Sequence, residues 1–116
     1  MAKEAIYKRP LNRVTYANAT NTLITVGQVV VVGGRAGIAA DDIAPSEIGE
    51  LWTEGGWEMA AINTAAFDQG SDLYWDAAAR KATNSATTGT ANNLLIGYAG
   101  AAKAKTDAVA LVKLRG

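Results

Sequence analysis

The sequence predicts an all-β fold, or a mainly β fold with one short helix, arranged as a compact sandwich or barrel-like domain of short strands. Three observations carry this. Short apolar runs, several of them β-branched, recur along the chain with glycine-rich turns between them. The best helical candidate is too short to stand without packing. A length of 116 residues fits one domain and one core, with no need of metal or disulfide staples.

Residues 1–21 read as an extended N-terminal arm, and 22–116 as a single β-rich domain. Arg9-Pro10 disfavours helix, because proline restrains its predecessor to extended conformations, and Asn18 and Asn21 suggest turns. Thr22 to Val26 reads as a short strand and Gly27-Gln28 as a turn. Val29 to Val32, four consecutive β-branched residues, predicts a strand buried on both faces. Gly33-Gly34 is a hairpin signal ahead of Gly37 to Ala40, and Asp41-Asp42 with Pro45-Ser46 forms a loop. Glu47 to Met59 makes two strands split by Gly55-Gly56. Ala60 to Asp68, rich in alanine, is the helical candidate, and Gln69-Gly70-Ser71 ends it.

Leu73-Tyr74-Trp75 is a strand of strong β-formers, followed by a turn over Asp76 to Arg80 and a return strand over Lys81 to Thr83. Asn84 to Asn93 reads as an exposed loop. Leu94 to Ala99 and Ala108 to Leu114 are strands joined by a polar connection. The last alternates, with Val109, Leu111 and Lys113 on one face and Ala110, Val112 and Leu114 on the other. A weak internal echo runs through the pattern. Gly27 and Gly70 each precede a strand, and Gly37 and Gly97 each sit inside a later one.

Composition excludes whole classes of chemistry. The chain has no cysteine and no histidine, which removes thiolate nucleophiles, disulfides, the usual neutral-pH base and the commonest transition-metal ligand. Its N-terminus lacks the apolar stretch of a secretory signal, and no run is long enough for a membrane-spanning helix. Gly33-Gly34-Arg35-Ala36-Gly37 fits neither the P-loop nor the dinucleotide fingerprint. Asp41-Asp42 and the Asp72/Asp76 pair do not match a calcium loop. Ser46, Ser71 and Ser85 have no histidine to activate them. No catalytic residue, cofactor or metal is expected.

The net charge is zero but the charges are segregated. Lys3, Lys8, Arg9 and Arg13 precede Val14 with Glu4 as their one acid. The interval 36–79 has no base and nine acids, and the C-terminal part is basic again. Such polarity suits head-to-tail or subunit-to-shell contacts, because complementary fields fix register. Trp52, Trp57, Tyr74 and Trp75 lie in the acidic interval, which repels phosphate and argues against nucleic acid. One or two of these rings are candidate interface anchors, or a sugar-binding platform.

An ordered set of blocks resembles the capsid cement (head-decoration) proteins of tailed bacteriophages. The blocks are Gly27 to Ala39, Asp42-Ile43-Ala44, Glu47 to Gly55, Gln69 to Asp76 with its distinctive Tyr74-Trp75-Asp76, Lys81-Ala82-Thr83, Leu95 to Ala99, and Val109 to Gly116. Trp57 to Ala61 departs from the family pattern, and the arm is longer and more basic. The resemblance implies a non-enzymatic protein made in the bacterial host cytoplasm that coats the capsid exterior. Its partner would be the major capsid protein, and it would be a homo-oligomer, with a trimer favoured. Lys8, Arg9, Arg13, Trp52 and Trp57 are the candidate capsid or subunit contacts. The alternative is a surface-binding module, for instance for glycans, using Trp52, Trp57 or Trp75.

Overall fold

The computed structural model describes residues 4–9 and 11–115; Lys3 and Pro10 of the expected arm lie outside them. The strands are β1 (Arg13–Ala17), β2 (Val29–Val32), β3 (Arg35–Ala39), β4 (Ile48–Trp52), β5 (Gly56–Ala60), β6 (Asp72–Asp76), β7 (Lys81–Thr83), β8 (Thr87–Thr88), β9 (Ala91–Asn92), β10 (Leu94–Ala99) and β11 (Val109–Leu114). They form a four-stranded sheet of order β1-β4-β3-β2, a five-stranded sheet of order β5-β11-β10-β6-β7, and a small β8-β9 ribbon. Every strand-to-strand ladder is antiparallel. No described residue is helical, so the fold is all-β.

The two main sheets are two copies of one plan. Residues 13–53 form the first unit and 56–114 the second. β1, β2, β3 and β4 correspond to β5, β6, β10 and β11 in sheet position. Equivalent backbone hydrogen bonds follow. Ile24 exchanges N–H···O bonds with Ile43 as Phe67 does with Lys103, and the Gly27 and Gly70 amides donate to Ala39 and Ala99 at 2.8 Å each. Ala40 donates to Glu50 as Gly100 does to Leu111, at 2.9 Å each, and Thr53 to Asn12 as Leu114 does to Gly55. Gly27 and Gly70 hold φ of 85° and 88°, the left-handed turn that glycine enters without a Cβ penalty. The glycine echo in the sequence is thus the trace of this repeat. The second unit adds β7 and the β8-β9 ribbon between β6 and β10, and a bulge on β10 at Ile96.

Packing follows the alternation of each strand. Val29, Ala36 and Ile38 of the first sheet meet Leu73, Trp75, Ala99, Val112 and Leu114 of the second in the main core. Val30, Ala39 and Leu51 turn to the opposite face of the first sheet, where the loop residues Ile24 and Ile43 cover them in a second cluster. Ile43 lies so close to β4 that a Cβ on Gly49 would sit 2.5 Å from its Cγ1. The run Val29 to Val32 is buried at Val29 and Val30 but exposed at Val31 and Val32, where β2 runs out along the sheet edge.

Three expected elements differ. The arm expected over 1–21 is a pairing strand from Arg13 onward, because Val14 and Tyr16 alternate inward against Leu51 and Gly49. Thr22 to Val26 contributes a single bridge, Ile24 to Ile43, rather than a strand. Ala60 to Asp68 is not a helix. Its backbone is claimed by distant partners, with Ala61 N–H bonded to Ala108, Ile62 to Ala82 and Phe67 to Lys103. Asn63-Thr64 in its middle weakens any competing helix. The loop Asn84 to Asn93 holds the exposed β8-β9 ribbon.

Candidate interaction surface

Three of the five candidate contact residues come together where the two units join. Arg13 sits opposite Trp52 in the β1–β4 ladder. Its guanidinium lies 4.9 Å from the Trp52 ring centre and its Nε is 3.8 Å from a Glu50 carboxylate oxygen. Trp52 and Trp57 are tilted at 45° with centroids 6.4 Å apart. The Trp57 indole N–H donates to the Glu54 carbonyl at 3.0 Å, which pins the ring to the turn between β4 and β5. Asn12, Glu54 and the two indoles line a shallow hollow there. Both indoles also pack against the main core, so only part of each ring is presented outward. Lys8 and Arg9 are exposed on a segment that belongs to no strand.

The acids of the 36–79 interval are mostly solvated. Eight of its nine acids are exposed, and the ninth, Asp76, is 8% exposed. Asp76 Oδ1 accepts from the Ala78 and Ala79 amides at 3.1 Å, which organises the β6–β7 turn. Asp42 accepts from the Val26 amide at 2.8 Å. These bonds explain two of the carboxylates by loop geometry. No group of three carboxylates that could hold a metal ion occurs among the described residues.

Sequence reasoning missed two features. The first is the outer face of the five-stranded sheet, where Tyr98, Leu111 and Val109 are 44%, 44% and 47% exposed. The alternation of the last strand was visible, but nothing in it said which face lay outside. The second is the polar locking of the loops. Lys103 is 4% exposed, yet its ammonium donates to the carbonyls of Ala104 and Asp107 at 2.9 Å and Lys105 at 3.3 Å, above the Phe67 ring. Asn18, 1% exposed, donates to Thr22 and Ile43 carbonyls and accepts from Thr20. Trp75 is 5% exposed and lies beneath Arg80, 5.3 Å from its ring centre, so it presents no face for a sugar.

No helix among the described residues is long and apolar enough to cross a membrane. A family model described as phage cement protein matches residues 8–114. No curated protein and no solved structure matches the chain.

Proposed function

We propose that this chain, which belongs to the phage cement protein family, is a non-enzymatic decoration protein that binds the exterior of a tailed-phage head and stabilises the shell. The family match across residues 8–114 carries the reading. The partner is the major capsid protein, and the protein acts as a homo-oligomer, with a trimer favoured. A ligand that binds only the assembled shell stabilises it by mass action, and many copies bridging neighbouring capsomers add multivalency.

The exposed Lys8 and Arg9, together with Arg13 at the sheet edge, support the arm as the element that meets an acidic patch of the shell or of a neighbouring subunit. Co-sedimentation with expanded, undecorated capsids tests the role. Saturable uptake with a higher capsid disruption temperature is expected, and absence of uptake overturns the reading. Reversing Lys8 and Arg9 to Glu slows uptake by roughly tenfold and flattens its salt dependence, as expected of rim charges that steer association.

The hollow of Asn12, Trp52, Glu54 and Trp57 favours one alternative, a surface module for glycans. Indole faces beside amide and carboxylate groups suit a sugar ring. Hits on a glycan array, lost in Trp57→Ala, with no uptake by capsids would select it.

A further inference from the structure

The repeat makes each face of the first sheet comparable with its counterpart in the second, and the two units are not placed alike. In the second unit, Trp57, Trp75, Leu94, Val112 and Leu114 belong to the main core or pack against it. The face that covers them comes from the first unit, through Val29, Ala36 and Ile38. The units therefore stack head to tail, with one face of the first lying on the opposite-type face of the second.

Apart from the Ile24–Ile43 cover over Leu51, this leaves one face of each kind without a partner among the described residues. In the first unit the positions equivalent to those five core residues are Val14, Val32, Arg35, Leu51 and Thr53. The ladders fix the correspondence: Val14 pairs with Leu51 as Trp57 does with Val112, and Val32 pairs with Arg35 as Trp75 does with Leu94. These five line an open, mostly apolar hollow. In the second unit the residues equivalent to Val29, Ile38 and Trp52 are Asp72, Tyr98 and Lys113, again by register. They lie on the outer face, where Tyr98 is 44% exposed while its counterpart Ile38 is 3% exposed.

We infer that the outer face of the second unit, centred on Tyr98, docks in the Val14–Val32–Leu51 hollow of a second copy of this chain. The contact continues the head-to-tail stacking that the two units already make within one chain. The outer face exposes Asp72 and Glu58 beside Lys113, and Arg35 lines the hollow, so the two carboxylates offer Arg35 an opposite charge. The interface is heterologous, so repeated copies close into a ring or run on as a filament according to the rotation between them. It deepens the homo-oligomer part of the proposed decoration role and rests on that part alone.

The test uses two variants at exposed positions, Tyr98→Asp on the outer face and Val32→Asp in the hollow, with circular dichroism to confirm that each is folded. Light scattering after size exclusion is expected to show a multimer for the wild-type chain. Each variant alone runs as a monomer, its self-association weakened roughly a hundredfold, the scale seen when a central anchor is replaced. An equimolar mixture of the two variants forms a two-chain species, because one intact hollow and one intact outer face remain. A monomeric wild type, wild-type mass in either variant, or a mixture that stays monomeric overturns the inference. Capsid uptake of the same proteins is measured separately. Loss of uptake by a wild type that still self-associates counts against the decoration role and leaves this contact standing.

Discussion

In the first unit the loop plugs are two isoleucines, Ile24 against Ile43; in the second they are Phe67 and Lys103, joined by the same pair of backbone bonds. Isoleucine supplies only hydrocarbon, so the nearby loop carbonyls fall to a separate residue, Asn18, which donates to the carbonyls of Thr22 and Ile43. Lys103 performs both tasks. Its stem fills apolar space and its ammonium answers three carbonyls. At the position equivalent to Asn18 the second unit has Ala61, whose amide repeats the backbone bond of Asn18 without the side-chain network. The shared plan therefore resides in the backbone ladders and the glycine turns. The side chains that close it are exchangeable, provided the space is filled and the buried carbonyls are answered.

Removing the apolar plugs is the largest perturbation. Phe67→Ala is expected to cost about 4 kcal/mol and Ile24→Ala about 3 kcal/mol in denaturant unfolding, since both positions are almost wholly buried and an aromatic leaves the larger cavity. Equal or reversed costs would mean that the smaller cluster carries as much stability as the main core. Next comes the glycine pair inside β3 and β10. A Cβ on Gly97 would overlap the Lys113 carbonyl oxygen, a backbone atom that cannot turn aside. A Cβ on Gly37 would meet the Leu51 Cβ at 2.9 Å, a much smaller overlap. Gly97→Ala is expected to cost about 3 kcal/mol and Gly37→Ala about 1 kcal/mol. A neutral Gly97→Ala would show that the β10 bulge can relax.

The polar locks rank below these. Lys103→Met keeps the apolar stem and removes the ammonium, leaving the carbonyls of Ala104, Lys105 and Asp107 without it. Asn18→Ala does the same to Thr22 and Ile43. Each is expected to lose about 2 kcal/mol, read as a Tm lower by roughly 8 °C. If Lys103→Met is neutral while Asn18→Ala is not, the lysine is filling space rather than locking the loop.

How much of this was legible follows from where the information lies. The strands from Val29 onward, the short β8-β9 ribbon apart, were readable because their apolar runs and glycine turns are local. The Gly27/Gly70 and Gly37/Gly97 echo was visible, but two glycine pairs alone are no different from ordinary hairpin chemistry, and the duplication rests on backbone bonds between residues far apart in the chain. β1 was hidden by its flanks: Val14 and Tyr16 alternate properly, yet the arginine, asparagine and threonine around them read as coil. Ala60 to Asp68 has helical composition and lost to long-range pairing, the usual way tertiary context overrides propensity. Of the candidate contacts, aromatic and basic residue types singled out Arg13, Trp52 and Trp57, which the fold then joined. Lys103 gave no signal, because a lysine buried against carbonyls looks like any solvated lysine in sequence.

The smallest expected effect belongs to the feature present in one unit only. Arg13 pairs with Glu50 and stacks on Trp52, whereas the equivalent position in the second unit is Gly56, opposite Lys113. Both partners of the ion pair are nearly half exposed, at 45% and 47%, so water screens it and its contribution is small. The stacking adds about 0.5 kcal/mol at such a site. Arg13→Ala should therefore lower stability by less than about 1 kcal/mol. Raising the salt to roughly 1 M should remove the ion-pair share and leave the stacking share. A loss well above that, or one insensitive to salt, would mean that the edge strand β1 depends on Arg13 to stay paired with β4. A small loss makes the same substitution a clean probe of the capsid contact, because any fall in uptake could then not be assigned to unfolding of the first unit.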